Sequence, residues 1–498
     1  MDYIVAVDQG TTSSRCVVFD RDANVVAIAQ EEIKRYFPHS GWVEQDATEI
    51  WSSQLGMYFK ALAEAGLSND DVAAIGVTNQ RETTVVWDRH TGKPVCLAPV
   101  WQCRRGAPLI EKLVEEGYGE MIREKTGLIP DAYFSASKLA WILDNVEGVR
   151  EGAEVGDILF GTVDSWLIWN MTDGATHATD YTNASRTLLF NIKTLEWDKE
   201  LLDLFNIPPQ MLPEVKSTFE VFGVTEGNTK SQIPICGVLG DQQSALFAQC
   251  CFEEGDTKAT YGTGSFVLMN TGKKLVTSNH GLLTTIAFAW TPEGSDELFV
   301  TYALEGSVYS AGSTVQWLRD GLHLIREAEN AQAIAQSVES ADGVYLVPAF
   351  NGLGAPYWDN EARGVLSGFT QGTTQAHIVR AALESIAFQV TDVIEAMAKD
   401  AEVDIRELRV DGGVSRNDFV MQFQADLLDV DVVRPEITEA TALGAALCAG
   451  IATGFWDDHK EFYDIIGRNS TTFIPSHDAE KVGELKAGWA HAIKQAQV

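Results

Sequence analysis

The stretch VAVDQGTTSSRCVVFD, residues 5–20, constrains this chain more than any other. Two β-prone apolar runs, 5–7 and 16–19, flank a polar turn over 8–15, a pattern that predicts a β-hairpin. Gly10 lets the backbone approach a ligand, and the amides and hydroxyls of Thr11, Thr12 and Ser13 can donate to anionic oxygens. Arg15 adds a planar cationic fork suited to a phosphoryl group. Asp8, closing a predicted central strand, can hold a divalent cation through water. A plain polar hairpin explains the glycine and the hydroxyls. It does not explain an aspartate and an arginine at the two ends of the turn, which point to nucleotide phosphates.

A chain of 498 residues exceeds one ordinary core, so two domains are expected. Residues 257–270 (TKATYGTGSFVLMN) repeat the logic of the first hairpin, with Gly262-Thr263-Gly264-Ser265 standing where Gly10-Thr11-Thr12-Ser13 stand. Two such units near the starts of two halves suggest similar domains, 1–253 and 254–498, facing each other across a cleft. Chance recurrence of a Gly-Thr turn is the alternative. Predicted strands at 25–34, 72–78, 83–88, 158–160, 233–239, 344–347, 408–410 and 430–433 alternate with helices at 46–67, 107–125, 135–145, 164–169, 245–249, 307–319, 375–398 and 440–450. That alternation is α/β. Asp46, with Glu49 three residues on, reads as a helix cap, and the tail beyond 455 reads as a peripheral helix plus loop.

A formal charge of −34 argues against nucleic acid or an anionic membrane surface as a partner, because the long-range field repels both. A local arginine, backbone amides and Mg²⁺ still leave room for a phosphate substrate. The charged start does not fit a signal peptide, and no run reaches the roughly 18 apolar residues of a membrane span. Seven cysteines (16, 96, 103, 236, 250, 251, 448) are scattered without a CxxC, as buried residues in a reducing compartment would be. A soluble cytoplasmic protein without membrane insertion is the expectation. His39, His90 and His177 read as surface or loop residues. Neither a Walker-type GxxxxGK[ST] nor the protein-kinase motif set nor HExxH occurs.

Phosphoryl transfer asks for in-line geometry, cation neutralisation and a base on the acceptor hydroxyl. Asp8 and Asp241, each at a predicted strand end, are the carboxylates placed for that work, provided strands 4–8 and 233–239 lie side by side. Asp241 also fits a helix N-cap, and that reading stays open. Arg81 and Glu82 stand at another strand end, where α/β folds build their sites.

At this point the chain resembles a known family. The stretches VDQGTTSSR (7–15), IGVTNQRETTVVWD (75–88), VWQCRR (100–105), KTGLIPDAYFSASKL (125–139), NASRTLLFNI (183–192), GDQQSAL (240–246), TYGTGSF (260–266), VPAFNGLGAPYWD (347–359) and VDGGVSRNDFVMQFQADLL (410–428) are similar, in order, to those of the polyol-and-sugar (FGGY) kinases, and among them the glycerol kinases. The resemblance implies two ribonuclease-H-like domains of the actin/hexokinase type around an ATP- and substrate-binding cleft. It implies that Arg81, Glu82, Tyr133, Asp241 and Gln242 bind the hydroxyls of glycerol, with Trp101 and Phe266 as an apolar wall. Asp241 would be the general base and a metal ligand with Asp8, and Arg15 would support the γ-phosphoryl. Thr11, Thr12 and Ser13 would form one phosphate turn, with Thr263 and Gly264 in the other. Gly312 and Gln316 would lie by the nucleotide, and Gly413 and Asn417 by adenine and ribose. The implied reaction is Mg²⁺-dependent transfer from ATP to glycerol, giving sn-glycerol 3-phosphate and ADP, in a homodimer or homotetramer. Another small polyol or sugar as acceptor, or a non-catalytic actin-like ATP switch, are the rival readings. Family members regulated by histidine phosphorylation carry a histidine absent from 217–234 here, and those inhibited by fructose 1,6-bisphosphate carry an arginine absent from 226–232. Neither control is expected.

Overall fold

Six strands from the first half form one sheet and seven from the second half another, in a computed structural model that describes residues 2–226, 232–291, 297–359, 361–436, 439–457, 461–467 and 470–497. The first sheet contains β1 (Tyr3–Gln9), β2 (Ser13–Phe19), β3 (Val25–Glu32), β4 (Val72–Asn79), β5 (Val221–Val224) and β6 (Pro234–Gly240), in the order β5-β6-β4-β1-β2-β3. The second contains β7 (Thr257–Tyr261), β8 (Ser265–Gly272), β9 (Leu283–Trp290), β10 (Phe299–Val308), β11 (Glu407–Asp411), β12 (Asp431–Pro435) and β13 (Ser470–Phe473), in the order β9-β10-β8-β7-β11-β12-β13. In each, a hairpin opens the sheet, a third strand joins antiparallel, and two later strands add in parallel on the other side. The repeated Gly-Thr turn is thus a repeat of topology as well as of sequence.

The opening turn is shorter than polarity suggests. Asp8 pairs with Arg15 and Gln9 with Ser14 across the ladder, so only Gly10, Thr11 and Thr12 turn, closed by the Gly10 N–H donating to the Ser13 carbonyl at 3.0 Å. Residues directly opposite in an antiparallel pair share a face, so Asp8 and Arg15 lie side by side. The expectation that the strands of Asp8 and Asp241 are neighbours is corrected. β4 lies between them, parallel to both, with Asn79 in register with Gln9 and with Gly240. Strand order is set by long crossovers that leave no local mark. What survives is that β1, β4 and β6 end at one sheet edge, where such folds form their crevice.

Helix α1 (Ala47–Ala65) starts at Asp46, whose carboxylate accepts from the Thr48 N–H at 2.8 Å. Glu49 instead accepts from the Lys34 N–H at 3.2 Å, so no capping box forms. The single helix expected over 107–125 is two, α2 (Ala107–Glu115) and α3 (Gly119–Thr126), parted at Gly117, whose φ of +92° favours glycine. α4 (Ser135–Asn145) and α5 (Asp241–Ala248) follow; α5 begins at Asp241, and Gly240 holds the cap position that Asp241 was weighed for. The helix expected from 307 begins later, as α6 (Gly312–Gln316), because β10 stays paired with β8 through Val308. α7 (Gln375–Ala401), α8 (Asp418–Leu428), α9 (Ala440–Ala452) and α10 (Ala479–Ala496) complete the main helices. The tail is not peripheral: β13 pairs with β12, and Trp489 of α10 stacks on Phe388 at 5.1 Å. His177 is a loop residue, half-buried, with its ring edge-on to Trp87 at 5.3 Å, and burial pushes it down to about 4. Six of the seven cysteines are buried.

The halves share a core. Leu443, Leu447 and other residues of α9, from the second half, cluster with Ile4, Ala6 and Val17 of the first sheet and with Leu268 and Ala303 of the second. Small residues permit this, because a Cβ on Gly76 or Gly444 would collide with the Ala445 or Ser244 carbonyl. Residues 227–231, most of the loop read for its lack of arginine, lie outside the described residues.

Candidate active site

Beyond β4 the chain enters Gln80-Arg81-Glu82, with Glu82 at φ +61°, a left-handed conformation that a non-glycine residue adopts only under constraint. The constraint is a buried quartet of charges. Arg81 Nη1 and Nη2 grip both oxygens of Glu305 at 2.6 and 2.9 Å, and Nη1 also donates to Gln243 Oε1 at 3.1 Å. Its Nε faces Asp241 Oδ1 at 3.3 Å and Glu82 Oε1 at 3.8 Å. Arg186 donates through Nε to Glu82 at 2.7 Å and through Nη2 to Glu305 at 3.0 Å. Burial alone would push Glu305 up, yet Arg186 and Arg81 outweigh it and hold the carboxyl at about 2. Burial wins at Glu82, which is raised against the pull of Arg186 and Arg81. The difference follows from geometry: Glu305 takes the Arg81 fork and Arg186 Nη2, Glu82 a single close Nε.

Around this floor stand the other expected acceptor residues. Trp101 and Tyr133 meet edge-on at 5.4 Å, and the Trp101 indole N–H donates to Thr11 Oγ1 at 2.9 Å, tying this aromatic pair to the turn after β1. Phe266 arrives from β8, half-buried. Tyr133 is held from below: Lys138 Nζ, fully buried in α4, donates to the carbonyls of Ala132, Tyr133 and Phe134 at 2.9, 2.7 and 2.7 Å. Asp241, at the first turn of α5, is raised by burial despite Arg81, the direction that makes a carboxylate a better proton acceptor. Gln242 accepts from Lys258 Nζ at 2.6 Å, and burial lowers that lysine against Asp411 and Asp241.

Asp8 is a further perturbed carboxylate of this edge. Burial raises it to about 7, Arg15 opposes, and the charges of Asp241 and Glu439 add to the rise. Arg15 Nη1 lies 4.0 Å from Asp8 and is in direct contact with Glu439, the residue that opens α9. In the first turn Thr12 is exposed and Ser13 Oγ accepts from Gln30 at 3.0 Å. Among the described residues no three His, Cys, Asp or Glu side chains form a ready metal cage.

The second half supplies a different edge. The Gly262 and Thr263 carbonyls accept from the N–H groups of Gly312, Ala311 and Ser313 at 2.9 to 3.0 Å, which stitches the start of α6 onto the turn. Gly264 sits so close to the Val308 carbonyl that a Cβ would collide, and a Cβ on Gly312 would stand 2.6 Å from the Gly262 oxygen. A cavity of about 350 Å³ follows β11, lined by Gly412, Gly413, Ser415, Arg416 and Arg434 among others. Gly413 faces open space, where an added Cβ would meet no protein atom within 4 Å. Asn417 is occupied as the cap of α8, accepting from the Val420 N–H at 3.2 Å, and Gln316 is exposed on α6; neither lines the cavity.

The structure therefore gathers Arg81, Glu82, Asp241, Gln242, Trp101, Tyr133, Asp8 and Arg15 at one edge, with Thr263, Gly264, Gly312 and Gly413 forming the other. Sequence reasoning missed Arg186, Glu305, Lys138, Lys258 and Glu439. The available signal was charge in apolar company, as in TYALEGSV (301–308).

Residues 3–248 match the N-terminal domain and residues 257–453 the C-terminal domain of the FGGY family of carbohydrate kinases. Glycerol kinase from Shewanella frigidimarina (strain NCIMB 400) is 57% identical over 495 residues, 99% of this chain and 97% of that protein. Glycerol kinase from Bacillus velezensis (strain FZB42) is 55% identical over 496 residues, 99% of each. The crystal structure of Plasmodium falciparum glycerol kinase with ADP superposes with a TM-score of 0.94 at 36% identity, covering 100% of this chain and 99% of that one. A xylulose kinase from Lactobacillus acidophilus, at 20% identity and a TM-score of 0.87, over 99% and 97% of the two chains, shares the fold. With both domain models matched and relatives this similar over nearly its whole length, the chain belongs to the FGGY family of carbohydrate kinases.

Proposed function

We infer that this chain is an ATP:glycerol 3-phosphotransferase that produces sn-glycerol 3-phosphate and ADP. The observation that carries the reading is full-length identity above one half to glycerol kinases, in a chain whose cleft buries Arg81 and Glu82 beside Asp241. A guanidinium donates and carboxylates accept, which suits adjacent hydroxyls of a short polyol. Trp101, Tyr133 and Phe266 would cover its carbon face, and Gln242 would complete the polar contacts.

In the transfer, Asp241 accepts the proton of the terminal hydroxyl while that oxygen attacks the γ-phosphorus in line. The bond from that phosphorus to the β–γ bridging oxygen breaks, and ADP leaves. Arg15, on releasing Glu439, offers its fork to the moving phosphoryl group. Thr11, Thr12, Ser13, Thr263 and Gly264 cradle the phosphates, and Gly312, Gln316, Gly413 and Asn417 border the nucleoside. Burial raises Asp8 and the charges of Asp241 and Glu439 add to the rise, a set of carboxylates that fits Mg²⁺, since this ion keeps water ligands and takes one or two carboxylates plus substrate phosphates. Asp8 and Asp241 would hold it, and when bound it neutralises charge on the phosphate oxygens. Closure of the cleft would exclude water as a competing acceptor.

The division 1–253/254–498, a cytoplasmic location, a homodimer or homotetramer and the absence of nucleic-acid partners belong to the same proposal. No described helix is long and apolar enough to cross a membrane. The test is Mg²⁺-dependent ADP release from ATP with glycerol, erythritol, xylitol, dihydroxyacetone or water as acceptor. Glycerol should stimulate far above the rest. Stimulation no better than by water would sink the reading, and a stronger response to another polyol would move it to that acceptor.

A further inference from the structure

We propose that Glu305, from the second half of the chain, is the positioning residue of the acceptor site, keeping the Arg81 fork off the base Asp241. The proposal deepens the glycerol-kinase reading and rests on it. Arg81 has three nitrogens to satisfy and three carboxylates within reach. Glu305 takes Nη1 and Nη2 at 2.6 and 2.9 Å, and only the Nε edge is left toward Asp241 at 3.3 Å and Glu82 at 3.8 Å. Without Glu305 the stronger bidentate geometry is open to Asp241 or Glu82. A base locked in a fork-to-fork pair is a poor proton acceptor, and its lone pairs are no longer free for the substrate hydroxyl.

Glu305 is suited to the task by where it sits. It lies on β10, paired with Leu268 on one side and Leu283 on the other, in the interior of the seven-stranded sheet. Such a strand cannot follow Arg81 if the arginine moves. Arg186 completes the arrangement by donating to the same Oε1 that accepts from Arg81 Nη2, which leaves Glu305 no freedom to rotate away. Two arginines and two glutamates balance, so the quartet carries no net charge into the interior. Stability alone does not demand it, because buried ion pairs are often replaceable by well-packed apolar residues. Two of the four members face the acceptor, and their aim is what the other two secure. The acceptor site is then completed across the boundary between halves, with Arg81, Glu82, Arg186 and Asp241 from one and Glu305 from the other.

The experiment compares the wild type with Glu305→Gln, which keeps size and removes charge, and with Glu305→Gln/Arg186→Gln, which removes a charge of each sign and so guards against a variant that fails to fold. Steady-state rates give the KM for glycerol, the KM for ATP and the ATP hydrolysis with water as acceptor. In whichever variant folds, glycerol KM should rise about 30-fold, the loss of a charged hydrogen-bond partner, with ATP KM within about twofold of wild type. Glu305→Asp, which keeps the charge, should recover part of the loss. An unchanged glycerol KM, or equal rises in both KM values, overturns the proposal. Crystal structures of the same variants give a readout that does not depend on the acceptor. The Arg81 fork should be found on Asp241 or Glu82, and a fork left where it was overturns the proposal. Failure of the wild type to respond to glycerol would instead overturn the functional reading.

Discussion

At the Arg81 end of the cleft, every guanidinium nitrogen of Arg81 and Arg186 except Arg186 Nη1 has a protein partner. At the Gly413 end, a Cβ would meet nothing within 4 Å, and Arg416 lines a cavity with no ion pair among the described residues. One end is shaped before its ligand arrives; at the other Arg434 is engaged by Ser415 and Asp418, while the Arg416 fork has still to be filled. The contrast fits the ligands proposed for each. A three-carbon polyol brings few contacts, so the protein must hold its groups in place beforehand. A nucleotide brings phosphates and a base that can organise an open edge themselves. Changes to the paired charges of the closed end should disturb folding and turnover together, whereas changes to the groups of the open end that have no protein partner should touch nucleotide affinity alone.

The largest effect expected is on Asp241, the proposed base. Asp241→Asn should lower kcat by on the order of 10³-fold, the scale of a lost general base, while calorimetry still detects ATP binding. Retained turnover with glycerol would assign the proton to another group. Next comes the quartet. Arg186→Met leaves Glu82 and Glu305 short of a cation in the interior, and chemical denaturation should register a loss of about 3–5 kcal/mol. Arg416→Met, at the open end, should leave the denaturation midpoint within about 0.5 kcal/mol of wild type and raise only the KM for ATP. Equal stability losses in the two variants would erase the distinction.

The two ends also differ in how far the sequence reveals them. Arg81, Glu82 and Asp241 are legible because each follows a β-prone run, and strand ends in α/β folds are where side chains meet a crevice. Glu305 and Arg186 are not, because their partners lie 224 and 104 residues away and no spacing rule links them. The hairpin at Gly10 was legible as a hairpin, but its polar residues were read as turn when Asp8 and Arg15 in fact continue the ladder. Polarity marks both a turn and a strand end lining a cleft, and only register separates them. β4 between the strands of Asp8 and Asp241, and β13 in a tail read as helix and loop, were hidden because pairing order is fixed by tertiary contacts. At the open end the glycines were legible as a class, while their separate jobs needed the backbone.

Those jobs supply a finer comparison within the open end. Gly412 has φ +90° and a Cβ there would stand 2.5 Å from the Tyr261 carbonyl, whereas Gly413, its neighbour, has neither restraint. Gly412→Ala should destabilise the fold by about 1 kcal/mol or more, through backbone conformation and contact together. Gly413→Ala should leave stability unchanged and raise the KM for ATP a few-fold. Melting curves and ATP titrations on the two variants separate a glycine kept for the fold from one kept for the ligand.

The smallest expected effect on turnover probes how rigid the closed end is. Lys138 matches its three N–H groups to three consecutive carbonyls that carry Tyr133, so the protonated amine is a complete clamp and the neutral amine lacks one donor. Burial lowers this lysine to about 7, with Glu82 opposing. Between about pH 7 and the unfolded value near 10.5 the unfolded chain binds the extra proton, so this group makes stability rise with pH through that window. Glycerol KM should move the other way, rising about two- to threefold from pH 6 to 8.5 as the clamp loses a hydrogen bond worth about 0.5 kcal/mol or more. Lys138→Met should abolish both dependences. A glycerol KM that keeps its full pH dependence in that variant would place the titrating group elsewhere and leave Tyr133 held by packing against Trp101 and Phe134.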